Sequence, residues 1–148
     1  MTRSQRLAPV QDVVESAERK LAQSLATYER RVLEAQNKLD ELTRYRGEYE
    51  KQLTERVAGG MGVMELRDYQ AFLGRLSEAM RQQQSVVHRA CADRDAEQKR
   101  WRDAARRAKA IDHVVTQWQS EERRSADRRE QHEIDERAQR VVKRDLQS

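Results

Sequence analysis

The sequence predicts an all-α fold, a long two-helix antiparallel coiled-coil hairpin with the second helix overhanging the first. Three observations predict it. Apolar residues recur in alternating steps of three and four along most of the chain. Gly59, Gly60 and Gly62 interrupt an otherwise helical sequence. The apolar seams on either side of that interruption have matching lengths. Glycine costs a helix interior about 1 kcal/mol relative to alanine and admits φ > 0, so this cluster ends one helix and lets the chain reverse. With the reversal centred between Gly60 and Met61, the numbers of facing residues should add to about 121, as in a helical hairpin.

The composition agrees. Of 148 residues, 38% are charged, 36% apolar and 5% aromatic, with a single proline. So polar a chain cannot build a broad globular core, but a narrow seam repeated along long helices can order it. High charge alone would suggest disorder. The net charge is only +4 with both signs interleaved, and the heptads argue for order. No apolar run reaches the ~18 residues of a membrane span, and the N-terminus lacks the apolar stretch of a signal peptide. Cys91 is the only cysteine and cannot form an internal disulfide, which fits a cytoplasmic protein. Beside Ala90 at the seam, it reads as a packed or bystander thiol.

The first helix is expected over about 5–57, starting between Ser4 and Pro9, since proline is tolerated in a first turn. Its seam runs through Leu7, Val10, Val14, Ala17, Leu21, Leu25, Tyr28, Val32, Ala35, Leu39 and Leu42. The two successive fours from Ala17 to Leu25 are a stutter, which predicts local unwinding of the supercoil. Arg46 interrupts the seam before Tyr49, Leu53 and Val57. A turn over 58–62 follows.

The second helix keeps an unbroken register from Leu66 through Tyr69, Leu73, Leu76 and Met80 to Trp118, with Gln83, Arg94 and Glu97 as its only polar members. From Leu7 to Val57 a helix rises about 75 Å. The facing rule sets Leu7 near Val114, so each seam ends where its partner ends. Two parallel strands of a homodimer would need no such agreement. Residues 119–148 carry equal numbers of basic and acidic side chains and few apolar ones. They read as a polar, fraying overhang that orders on a partner, within a single domain of residues 1–148.

Catalytic signals are absent, and an enzyme is not expected. There is no phosphate-binding loop, and no serine or cysteine is set against a histidine. His88, His113 and His132 are too widely spaced along one helix to share a metal. No cofactor is expected.

Two stretches suggest binding. Tyr45 and Phe72 fall one position off the ladders, beside Arg46 and Leu73. The facing rule stacks Leu42 on Ala79, Tyr45 on Leu76 and Tyr49 on Phe72. A two-stranded seam cannot bury so wide a stripe, so these rings either mark an interaction surface or widen the core locally. The second stretch is Lys99, Arg100, Arg102, Arg106, Arg107 and Lys109 around Trp101. It could meet phosphates or an acidic protein surface, or be a solvated helix face. The balanced charge of the overhang argues against a nucleic-acid track.

These residues together resemble the family of the flagellar type III export protein FliJ over nearly the whole chain. The likeness includes Leu7-Ala8-Pro9-Val10, the glycine break, the run Leu66, Tyr69, Phe72, Leu73 and Leu76, and Glu130-Gln131-His132-Glu133-Ile134-Asp135-Glu136 near the C-terminus. It implies an antiparallel helical hairpin similar to the central stalk of rotary ATPases. It further implies a non-enzymatic cytoplasmic protein, peripherally associated with the inner-membrane export apparatus and monomeric when isolated. Its partners would be the export ATPase (FliI-like) ring, the export gate protein (FlhA-like) and export chaperones, with no nucleic acid and no direct membrane insertion. Carried over by position, the gate-contacting surface covers Leu42, Tyr45, Tyr49, Phe72, Leu76 and Ala79, the same residues the facing rule stacks. The flanking Lys38 and Gln83 depart from the family's polar residues there. Lys99, Arg100, Arg102, Arg106, Arg107 and Lys109 would be contacts for the ATPase ring. Two alternatives share this pattern: the stalk of a virulence-type secretion system and a generic coiled coil that dimerises through its exposed stripe.

Overall fold

A computed structural model describes residues 1–147, which form two α-helices, α1 (Arg3–Ala58) and α2 (Val63–Gln147). The fold class is the predicted one: two long helices packed against each other, with no strand among the described residues. The chain divides into two compact units, Lys20–Arg102 and Met1–Arg19 with the chain from Asp103 onward.

The unit Lys20–Arg102 contains the turn. Helix α1 ends because Gly60 takes φ +92° and donates its N–H to the Val57 carbonyl at 3.2 Å. That is a left-handed C-terminal cap, a conformation a Cβ would strain. The Leu66 N–H bonds the Gly62 carbonyl at 3.0 Å and starts α2, while Arg56 pairs with Glu65 across the turn. Further contacts join Arg46 to Ser77 and Gln83 to Ala35, so α1 descends as α2 ascends. These partners obey the facing rule to within a few positions.

In the other unit, antiparallel pairing joins Gln11 to Asp112, Arg3 to Glu121 and Ser4 to Glu122. The pairing therefore passes Trp118, where the apolar seam was expected to stop. From Ala126 to Gln147 every side chain of α2 is exposed, and the segment is helical throughout. Ser148, the last residue of the predicted overhang, lies outside the described residues.

Two further expectations are corrected. Helix α1 starts at Arg3, so Pro9 lies within it, past the first turn. A capping box sets this start. Gln5 N–H donates to Thr2 Oγ1 at 3.3 Å, and Thr2 N–H donates to Gln5 Oε1 at 3.0 Å. The predicted stutter is also absent. A ladder of shielded positions runs along α1 through Ser4, Leu7, Gln11, Val14, Glu18, Leu21, Leu25, Tyr28, Val32, Ala35, Leu39, Leu42, Arg46, Tyr49 and Leu53. This is an unbroken alternation of threes and fours. Val10, Ala17 and Val57 stand outside it, exposed. Following apolar side chains alone led the register astray, because Gln11 and Glu18 occupy the seam in place of Val10 and Ala17. On α2 the predicted register holds at every position from Leu66 to Trp118.

Two helices enclose little. The buried apolar side chains are Ala35, Leu76, Ala104 and Val115, and no large side chain among the described residues is fully buried. Stability must come from many half-buried contacts added along the seam rather than from a few buried anchors.

Candidate functional site

Four aromatic rings gather in the unit Lys20–Arg102. Tyr49 is their centre, because it occupies a seam position on α1 and faces Phe72 and Tyr69 on α2. Its ring lies 4.5 Å from Phe72 and 5.6 Å from Tyr69, both tilted. Tyr45, one helical turn before Tyr49, packs 5.4 Å from it and meets Phe72 edge-on at 6.2 Å. Such tilted and edge-to-face pairs suit the ring quadrupoles and add about 0.5–1.5 kcal/mol each beyond area burial. The expected facing of Tyr49 and Phe72 is thus realised as a ring contact.

Within this group exposure is uneven. Tyr45 is 46% exposed, whereas Leu42, Tyr49, Phe72 and Ala79 are half-buried. Leu76 is buried at 8% and can act only by supporting its neighbours. Tyr69 is a fourth ring that the off-ladder criterion passed over, since it sits on the ladder itself. Its four- and three-residue spacing to Leu73 and Phe72 was the available signal. Guanidinium groups flank the cluster. Arg75 lies 5.8 Å from the Phe72 centroid and Arg56 5.8 Å from that of Tyr69. The arrangement offers apolar area with cationic edges, which suits a protein surface.

The six basic residues from Lys99 to Lys109 are all exposed. Lys99, Arg100 and Arg102 belong to the unit just described, and Arg100 pairs at 3.3 Å with Glu97, whose side chain is buried in the seam. Arg106, Arg107 and Lys109 belong to the other unit, where Arg106 lies 3.9 Å from Asp103. The exposed Arg106–Asp103 pair contributes under ~1 kcal/mol, and both guanidinium groups stay in water, Arg100 with 69% of its side chain exposed and Arg106 with 80%.

At the start of α1, Glu122 accepts hydrogen bonds from Ser4 Oγ at 2.6 Å and Ser4 N–H at 3.1 Å. These bonds, the hydroxyl's first, hold its carboxyl below the usual carboxylate range. Arg3 stacks 4.6 Å over the Trp118 ring and pairs with Glu121 at 3.0 Å. Among the described residues no cluster of His, Cys, Asp or Glu is placed to hold a metal ion. No described helix is long and apolar enough to cross a membrane.

Two antiparallel helices joined by a glycine turn, with a cluster of four aromatic rings beside the seam, define a coiled-coil hairpin. The chain belongs to the FliJ family: the family model described as flagellar FliJ protein matches residues 3–147. Membership gives it a role associated with flagellar type III protein export. Searches of curated proteins and of solved structures gave no match.

Proposed function

We propose that the chain is a non-enzymatic component of the flagellar export apparatus, linking the export ATPase (FliI-like) ring to the export gate protein (FlhA-like) and escorting export chaperones. It works in the cytoplasm, peripherally associated with the inner-membrane apparatus, as a monomer that needs no cofactor or nucleic acid. The observation that carries this reading is the ring cluster at Tyr45, Tyr49 and Phe72. Nearly half of Tyr45 stays in water although apolar neighbours stand next to it. With Leu42, Leu76 and Ala79 as its supports, this patch engages the gate.

The exposed cations Lys99, Arg100, Arg102, Arg106, Arg107 and Lys109 meet acidic loops of the ATPase ring. Coupling between the two partners is mechanical and needs no bond chemistry. Helix α2 supports this, because its 85 residues run without a break, and a continuous helix transmits displacement that a flexible linker would absorb.

The test is the double variant Tyr45→Ala with Phe72→Ala, assayed for binding to the purified cytoplasmic domain of the gate. Affinity should fall at least ~10-fold, the scale of an aromatic hot spot. The chain should stay helical and cooperatively folded, with its melting midpoint lowered by the ring contacts the two truncations remove. An unfolded double variant would assign the rings to the core and remove the patch.

A further inference from the structure

Residues 45 and 46 of α1 reverse the usual hydrophobic order. Arg46 holds a seam position between Leu42 and Tyr49, its side chain 35% exposed. Its neighbour Tyr45 stands outside the seam, 46% exposed. A tyrosine at the seam position with an arginine beside it would bury more apolar area and leave the charge in water. The chain does the opposite, and two contacts offset the cost. Arg46 Nε donates to Ser77 Oγ at 2.9 Å, and its terminal nitrogen pairs with Glu50 at 2.8 Å. The first contact crosses from α1 to α2, while the second braces the side chain one turn along α1.

Contacts between rings and aliphatic groups have little direction, so they tolerate sliding and rolling. A planar guanidinium held by two partners does not, because its N–H groups point in set directions. Sequences that break a local preference at one point and compensate for it nearby commonly do so where function requires it.

We infer that Arg46 is a positioning residue. Its clamp on Ser77, braced by Glu50, holds α1 at the roll that keeps Tyr45 outside while Tyr49 rests 4.5 Å from Phe72. The clamp stands on the geometry alone. That it serves the export gate rests on the function proposed above.

The experiment compares Arg46→Leu, Ser77→Ala and Ser77→Thr in the full chain. Nitration of Tyr45 by tetranitromethane is followed peptide by peptide, alongside melting and affinity for the gate domain. Arg46→Leu places an apolar residue in the seam, so its melting midpoint should hold or rise. Because leucine holds the seam position as an apolar residue, Tyr45 nitration in Arg46→Leu should stay within about twofold of the natural rate. Ser77→Ala leaves the guanidinium without its cross-helix partner and should slow Tyr45 nitration about fivefold as the ring turns inward, and Ser77→Thr, which keeps the hydroxyl, should restore the natural rate. If Arg46→Leu fails to fold, the Ser77 pair decides. Equal Tyr45 nitration in Ser77→Ala, Ser77→Thr and the natural chain would overturn the clamp. Slowed nitration with undiminished gate affinity would uphold the clamp and count against the gate as its partner.

Discussion

The side-chain amide of Gln83 donates a hydrogen bond to the backbone carbonyl of Ala35 at 2.9 Å, with both residues 8% exposed. The small methyl of Ala35 leaves room for the longer side chain to cross the seam and reach its backbone. The carbonyl has two lone pairs and can accept this bond beside an intrahelical one. A polar group at a seam position specifies register at some cost in stability.

Gln83→Ala should therefore destabilise the chain by about 1–2 kcal/mol, through a lost hydrogen bond and a small void. Gln83→Leu should come within about 1 kcal/mol of the natural chain, since an apolar residue at a seam position compensates for the missing bond. Urea unfolding followed by circular dichroism measures both. A Leu variant as unstable as the Ala variant would mean that the amide contributes more than register.

The corrected register of α1 distinguishes two valines that look alike in sequence. Val10 is exposed at 44%, and Val14 is shielded. Val10→Gln should change stability by less than about 0.5 kcal/mol, as expected for a surface position. Val14→Gln should cost about 1–3 kcal/mol by desolvating an amide in the seam. Thermal melting of the two single variants compares them, and equal losses would restore the stuttered register.

The contact of Ser4 with Glu122 makes the start of α1 sensitive to acid. The Ser4 hydroxyl and amide stabilise the ionised carboxylate, so the folded pKa lies below the unfolded one. Stabilisation from this contact is thus complete above the usual carboxylate range and is lost as pH falls through the lowered folded value. The Ser4 amide resonance should titrate with a midpoint below the ordinary glutamate range. In Glu122→Gln that titration should vanish. A Ser4 midpoint within the ordinary glutamate range would mean that the bonds do not form in solution.

Much of this molecule could be read without coordinates, and the reason is its simplicity. Heptad periodicity is a local signal, and the glycine cluster marks the one place where a helical chain must reverse. The α2 register held from Leu66 to Trp118 because apolar residues fill nearly all of its seam positions. On α1 the same method chose Val10 and Ala17 over Gln11 and Glu18. It also missed the Thr2–Gln5 capping box, although the pattern Thr-x-x-Gln was present to be found.

The sequence by itself determined the helical class, the site of reversal and the pairing of Tyr49 with Phe72. Periodicity and glycine chemistry act over a few residues and need no knowledge of a partner helix. Only the tertiary structure decided which partners the polar residues of the seam meet, and that Gln11 and Glu18 are among those residues. Ser4 meets Glu122, Gln11 meets Asp112, Arg46 meets Ser77, and Gln83 reaches a backbone carbonyl. A polar side chain is tolerated between two helices only if a hydrogen-bond partner waits on the other side, and that depends on a residue distant in the chain.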